Sequence, residues 1–313
     1  MQWRGVMPAL TTAFKKDLSV DIDFIARHAK WLVDNGCTGI VALGSLGEGA
    51  TLAPAEKAEI LNTCVKAVGS RVPVVAGISA LSTRDAVSLA KTAEDAGCSG
   101  LMVLPPYVYV GDWREMKTHV AAVLHATNLS CMLYNNPIAY TVDFILEHVK
   151  ELVEEHENLN AIKESSSDVR RVTALRVLLE SRLDVLVGVD DAIVEAAAMG
   201  AVGWIAGLVN AFPRESVELF ELAKGGRAKE AFELYRWFLP LLRMDTVPKF
   251  VQLIKLVQEQ LGIGTARVRP PRLELIGSEL DKARTIIAHA LSSRPSAVQS
   301  TGFDYSHQPA AVR

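Results

Sequence analysis

The sequence predicts an α/β fold, a (β/α)8 TIM barrel with a C-terminal helical extension, and three observations carry that reading. Short β-branched apolar runs alternate with longer amphipathic segments, as βα units around a parallel sheet require. The strand candidates number eight, which separates a closed barrel from an open doubly wound sheet. A helix-ending glycine followed by a strand-starting glycine recurs in Gly36/Gly39, Gly97/Gly100 and Gly200/Gly203, so the units repeat.

The first strand is read at 4–11, then 39–44, 72–77, 100–104 and 129–134. Three more follow at 159–163, 184–190 and 203–208. Several are almost continuously apolar, the pattern of strands covered on both faces. The stretches 24–35 and 83–96 have helical period between them. After Asn210 the pattern turns helical, at 213–224, 228–242, 247–261 and 279–291, which exceeds one closing helix. Residues 1–212 are therefore assigned to the barrel strands and the catalytic site. Residues 213–292 form the closing helix and extension of the same domain, with no chemistry placed there, and 293–313, rich in Ser, Pro, Gln and Ala, form a flexible tail.

Composition narrows the function. With 313 residues, 50% hydrophobic and 22% charged, the chain can bury one large core. A formal charge of −3, from 33 basic and 36 acidic residues, offers no basic field for nucleic acid or anionic lipid. No apolar run reaches the roughly 18 residues of a spanning helix, and the start has no charged segment leading into an apolar one. A cytoplasmic protein without nucleic-acid or membrane partners is expected. Cys37, Cys64, Cys98 and Cys131 are far apart in apolar or small-residue settings and form no Cys-x-x-Cys pair, so neither disulfides nor zinc are expected. No Gly-x-Gly-x-x-Gly follows a strand, and His28, His119, His125, His148 and His156 fall in helical or connecting segments. The expectation is no metal and no organic cofactor.

Reacting groups in barrels gather at the C-terminal ends of strands. There the sequence places Gly44-Ser45-Leu46-Gly47-Glu48, Tyr134-Asn135-Asn136-Pro137, Lys163-Glu164-Ser165, Gly188-Val189-Asp190-Asp191 and Asn210. Lys163 is the unusual member, because it directly follows Asn160-Ala161-Ile162. A desolvated amine loses part of its preference for the charged form, which makes it a nucleophile suited to imine formation. A salt bridge to Glu164 or to a neighbouring strand is the alternative. The Gly44–Gly47 turn could aim backbone amides, with the Ser45 hydroxyl, at a carboxylate. Tyr134 either relays a proton or packs as a buried tyrosine. Glu48 reads as a cap or first-turn acid, and Asn135 and Asn136 as turn residues.

Gly44-Ser-Leu-Gly-Glu48, Tyr134-Asn-Asn-Pro137 and Ala161-Ile-Lys-Glu164, in this order on strands 2, 5 and 6, resemble the dihydrodipicolinate synthase and N-acetylneuraminate lyase superfamily of class I aldolases over roughly residues 3–292. The resemblance implies Lys163 as Schiff-base residue and Tyr134 as proton relay. It implies a Gly44–Leu46 turn that holds the substrate carboxylate through Ser45 and Leu46, with Gly188, Asp190 and Gly207 at the substrate's far end. It also implies a small 2-oxo acid or pyrroline carboxylate substrate, no cofactor, and a homotetramer built from dimers, or a homodimer. Two departures stand out. Leu46 replaces the second of two threonines that feed a tyrosine relay in the synthase, and Ile138-Ala139-Tyr140 lacks the arginine that receives a dicarboxylate there. Residues 107 and 109 are not in register with the synthase's consecutive tyrosines. Together with Gly188-Val-Asp-Asp191 and Ala206-Gly-Leu-Val-Asn-Ala-Phe-Pro213, the motifs look like a bacterial branch associated with hydroxyproline catabolism. The implied activity is deamination of 1-pyrroline-4-hydroxy-2-carboxylate to 2-oxoglutarate semialdehyde and ammonia. A pyruvate-dependent aldolase is the alternative, with the synthase reaction behind it and a keto-acid-binding barrel as the non-enzymatic reading.

Overall fold

The structure is a computed structural model that describes residues 1–107 and 109–295. The tail expected at 293–313 therefore lies, beyond its first three residues, outside the described residues. Among the described residues eight parallel strands form one sheet: β1 Gly5–Pro8, β2 Ile40–Ala42, β3 Val74–Ile78, β4 Gly100–Val103, β5 Ser130–Asn135, β6 Leu159–Glu164, β7 Asp184–Val187 and β8 Gly203–Ala206. From β2 to β8 each strand pairs with the next in sequence, and β8 pairs with β1 from Gly5↔Gly203 to Pro8↔Ala206. The Ala9↔Val41 bridge and the Leu10 N–H to Val41 carbonyl bond of 2.8 Å join the remaining edge, so the sheet closes into the expected barrel.

Helices alternate with the strands: α1 Ile22–Asp34, α2 Pro54–Val68, α3 Thr83–Asp95, α4 Trp113–His125, the single turn α5 Pro137–Tyr140, α6 Leu146–Glu155, α7 Arg170–Leu179 and α8 Ile193–Ala198. Side-chain caps start several of them. Asp21 accepts from Phe24 N–H, Ser82 from Asp85 N–H, and Asp112 with Glu115 forms a reciprocal capping box. The strand residues are buried on both faces almost without exception, between the barrel interior and the helix layer. The four cysteines are free thiols packed in this core, and burial pushes the thiols of Cys64, Cys98 and Cys131 up to about 12. Among the described residues no helix is long and apolar enough to cross a membrane.

Several strands end earlier than their apolar runs suggest. The first stops at Pro8 rather than residue 11 and the seventh at Val187 rather than 190, while 190–192 and 208–210 are 3₁₀ turns. The shortening has a cause in side-chain bonding. Asp190 turns inward to accept from Gly207 and Leu208 N–H, and Asn210 donates to the Ala9 and Gly207 carbonyls and accepts from Thr11 N–H. These polar ties replace ladder bonds at the mouth of the barrel.

After β8 come α9 Pro213–Lys224, α10 Ala228–Leu242, α11 Phe250–Gln260 and α12 Gly277–Ser292, with a 3₁₀ turn Arg243–Asp245 between α10 and α11. Lys255 of α11 fastens this extension to the barrel. Its ammonium donates to the Thr12 carbonyl and lies 2.8 Å from Glu48 Oε1, with the two side chains only 2% and 0% exposed. Glu48 also accepts from Arg269 N–H and caps no helix with its side chain, which corrects the reading of it as a helix-cap acid. Removing one partner of a buried pair strands the other charge. Lys255→Met is expected to lower unfolding stability by about 3–5 kcal/mol, measured by urea denaturation, with Glu48→Gln in the same chain recovering much of the loss.

Candidate active site

Parallel register brings the first two groups together. Tyr134 on β5 is the strand partner of Lys163 on β6, so both side chains leave the sheet on the same face. The Lys163 ammonium lies 4.3 Å from the centroid of the Tyr134 ring. Glu164, one residue on, faces the other way. Its oxygens accept from Ser166 N–H at 2.7 Å and Asn135 Nδ2 at 3.1 Å, and Arg171 Nε stands 3.4 Å away. The Lys163–Glu164 salt bridge left open by the sequence is therefore not formed, and among the described residues Lys163 makes no ion pair. Burial lowers its pKa to about 8, opposed in part by the charges of Asp245 and Asp190.

Gly188, the residue after β7 and Val187, makes this burial possible. A Cβ there would collide with Lys163 Cε and Ser165 Oγ, so only glycine leaves the lysine its path into the barrel. The Gly188 N–H holds the Glu164 carbonyl at 2.9 Å. Asp190 accepts from Trp204 Nε1 at 3.1 Å, from Gly207 N–H at 3.1 Å and from Leu208 N–H at 2.8 Å, which joins the ends of β7 and β8. Burial raises its pKa while those donors and Lys163 pull it back. Gly188 and Asp190 thus stand beside Lys163, and Gly207 is tied to Asp190.

The strand 2 turn is built under backbone strain. Leu43 and Glu48 both adopt left-handed φ, 65° and 53°. A Cβ on Gly49 would strike the Leu43 carbonyl, and one on Gly47 would come within 2.8 Å of the Leu10 carbonyl. The turn closes through Glu48 N–H to Ser45 O and Gly49 N–H to Gly44 O, while the Ser45 and Leu46 amides find no acceptor among the described residues. Such free amides can receive an anion. The Leu46 side chain is buried in the core.

Two site groups were not legible in the sequence. The Tyr140 hydroxyl is hydrogen-bonded to Ser45 Oγ, its ring meets Tyr134 edge-on at 5.8 Å and stacks obliquely on Tyr107 at 5.7 Å, and Tyr107 in turn bonds Ser79 Oγ at 3.0 Å. With no hydroxyl at position 46, Ser45 and Tyr140 put hydroxyls beside Tyr134. The Tyr134 hydroxyl accepts from Asn136 Nδ2 at 3.0 Å, and burial pushes its pKa to about 12. Tyr109, by contrast, is exposed. Asp245, from the 3₁₀ turn that follows α10, reaches the end of β8, where a Cβ on Gly207 would collide with its carboxyl group. It lies in a segment where no chemistry was expected. The polar sequence between two helices carried no mark of it, although Gly207 at a strand end hinted that some group must come close.

A buried primary amine of lowered pKa against a phenol ring, with free backbone amides in the strand 2 turn and buried carboxyls nearby, forms an arrangement able to bind a carboxylate and attack a carbonyl or imine carbon. The chain is similar to known proteins over nearly its whole length. The sequence model of the Dihydrodipicolinate synthetase family matches residues 2–290. A 4-hydroxy-tetrahydrodipicolinate synthase of Methanococcus maripaludis is 30% identical over 275 residues, 88% of this chain and 94% of that protein. One from Rhizobium meliloti is 31% identical over 274 residues, 88% and 93% of the two chains. Among solved structures, the synthase of the methanotroph Methylacidiphilum fumariolicum superposes with a TM-score of 0.90 at 28% identity, covering 96% of this chain and 99% of its own. YagE of E. coli K12, a prophage protein in complex with pyruvate, gives 0.86 at 25% identity, with 93% and 99% covered.

The lowered pKa has a direct consequence for reactivity. Because the neutral amine is the nucleophile, acylation of Lys163 by a small reagent should rise about tenfold per pH unit and level off above about pH 8. Surface lysines should go on rising past that point, and mass spectrometry of the modified peptides separates the two behaviours.

Proposed function

Because the chain belongs to the Dihydrodipicolinate synthetase family, we propose that it is a Schiff-base lyase in which Lys163 attacks the carbon next to the carboxylate of a small 2-oxo acid or cyclic imine acid. The observation that carries this is the desolvated, unpaired amine of Lys163 over the Tyr134 ring. Tyr134 moves the protons of the carbinolamine, with Ser45 and Tyr140 beside it, and the Ser45 and Leu46 amides hold the substrate carboxylate. None of these steps draws on a metal or organic cofactor.

The substrate we favour is 1-pyrroline-4-hydroxy-2-carboxylate. Lys163 adds to its C=N carbon, the ring nitrogen leaves that carbon as a protonated amine, and a Schiff base on Lys163 remains. Loss of the 4-hydroxyl as water, hydration and hydrolysis then release ammonia and 2-oxoglutarate semialdehyde. A substrate with a single carboxylate suits a site in which Leu46 has no hydroxyl, Ile138 is exposed, and Ile138-Ala139 carries no guanidinium. The names of the relatives favour a second reading, the 4-hydroxy-tetrahydrodipicolinate synthase reaction on the same lysine. A pyruvate-releasing aldolase is a further variant of it.

Borohydride reduction with pyruvate, and separately with the hydroxy-pyrroline, followed by peptide mapping, tests the chemistry. An adduct on Lys163 that is lost in Lys163→Ala, with ammonia released from the pyrroline by the wild-type protein and not by Lys163→Ala, supports the deaminase. An adduct with pyruvate and none with the pyrroline would point to the synthase or aldolase. Tyr134→Phe should slow turnover by about 10²–10⁴-fold, and an unchanged rate would make Tyr134 a packing residue.

We also propose a cytoplasmic homotetramer of paired dimers, or a homodimer. Leu81, Tyr109, Val110 and Ile138, 57–68% exposed on the loops after β3, β4 and β5, offer an apolar surface for it. Sedimentation equilibrium should give a mass two or four times that of the chain, and a monomer at micromolar concentration would overturn the assembly.

A further inference from the structure

Among the described residues, the C-terminal extension brings the acidic side chain of Asp245 to the mouth of the barrel beside Lys163, and its bonding differs from that of Asp190. Asp190 has three N–H donors on its oxygens. Asp245 Oδ1 is shut off from solvent and, among the described residues, has no hydrogen-bond partner. Its carboxyl occupies the space that any side chain at position 207 would fill. Gly207 has ordinary φ and ψ of −86° and −53°, so the backbone does not demand glycine there; the room for Asp245 does. The charged groups around it are Lys163 of β6 and Asp190 and Asp191 of the 190–192 turn, with Arg243 standing 3.5 Å from Asp191.

An ionised carboxylate without donors in such a place is costly, whereas a neutral acid is tolerated. Burial and the two neighbouring aspartates hold the Asp245 carboxyl well above the usual carboxylate range. The donors make Asp190 the natural anion. One cation, one anion and one neutral acid then leave the buried group without net charge. A carboxyl without hydrogen-bond donors, held above the usual carboxylate range beside a nucleophile, is suited to give its proton to a leaving group.

We propose that Asp245 is the general acid that protonates the hydroxyl leaving the Lys163-bound substrate. The inference rests on the Schiff-base reading of Lys163 and extends it to the elimination step. In that step the Lys163 enamine nitrogen pushes its pair into the C=N bond, the enamine C=C pair moves to form the next C=C bond, and the C4–O bond breaks. The departing oxygen takes the Asp245 proton and leaves as water, so the products are a conjugated iminium on Lys163 and an Asp245 carboxylate that water reprotonates. No oxidant, reductant or further reactant enters.

The test compares two leaving groups in Asp245→Asn, with Gly207→Ala as a second variant whose Cβ displaces the carboxyl from the other side. Hydroxide needs a proton to leave and fluoride does not. In both variants turnover of the 4-hydroxy-pyrroline should fall about 10²–10⁴-fold further than that of the 4-fluoro analogue. Borohydride should still trap substrate on Lys163 at the wild-type yield. Equal loss for both leaving groups, or no loss for either, would overturn the role of Asp245 and leave the Schiff-base reading intact. Wild-type protein that traps no imine on Lys163 would overturn both. If Asp245→Asn fails to fold, Gly207→Ala carries the comparison alone, with the same outcomes deciding it.

Discussion

Glu48 and Lys255 come from opposite ends of the chain and meet 2.8 Å apart in the interior, both essentially out of solvent. Glu48 belongs to the strained turn after β2, where the free Ser45 and Leu46 amides lie, and Lys255 belongs to α11. The same α11 packs on the 3₁₀ turn that carries Asp245. One buried ion pair therefore couples the anion-receiving turn to the segment that supplies the Asp245 carboxyl of the site. Its surroundings satisfy the rest of both groups, through the Thr12 carbonyl on the ammonium and Arg269 N–H on the carboxylate. Without those additional bonds the desolvation of two charges would outweigh their attraction.

Space sets the second constraint. Lys163 reaches the barrel interior only because position 188 has no side chain, and Asp245 reaches β8 only because position 207 has none. Both glycines stand at strand ends, so the backbone itself forms the walls of the site. Such walls cannot relax as flexible side chains do, which keeps the amine and the two carboxyls at fixed separation in a poorly solvated volume. Fixed charges in that volume act on one another more strongly than they would in water, and burial alone lowers the lysine while raising both aspartates.

The hydroxyl arrangement shows how one departure from a family pattern can be answered nearby. Leu46 removes the hydroxyl that the synthase relay uses, yet Tyr140, four positions after Asn136, folds back through the single turn α5 and bonds Ser45. Asn136 caps that turn by accepting from Ala139 N–H and donates to the Tyr134 hydroxyl as well. The Asn-Asn-Pro motif, read as turn chemistry, thus also orients the phenol over Lys163. Asn135 likewise joins Glu164, Asp143 and Phe144 N–H, which turns Glu164 away from the lysine.

The sequence by itself determined the barrel, because eight apolar runs alternating with amphipathic segments leave few other ways to bury both faces of a parallel sheet. It also singled out Lys163 and Tyr134 as polar ends of apolar strands, since such exceptions stand out against a hydrophobic background. What it could not carry were relations between distant positions. That Glu48 pairs with Lys255 rather than capping a helix, that Asp190 closes on the end of β8, and that Asp245 stands beside Lys163 depend on separations of 207, 18 and 82 residues. No local periodicity encodes those distances. Only the closed barrel and the packing of α11 against it decided them, because burial determines which charges meet and which groups are left without donors.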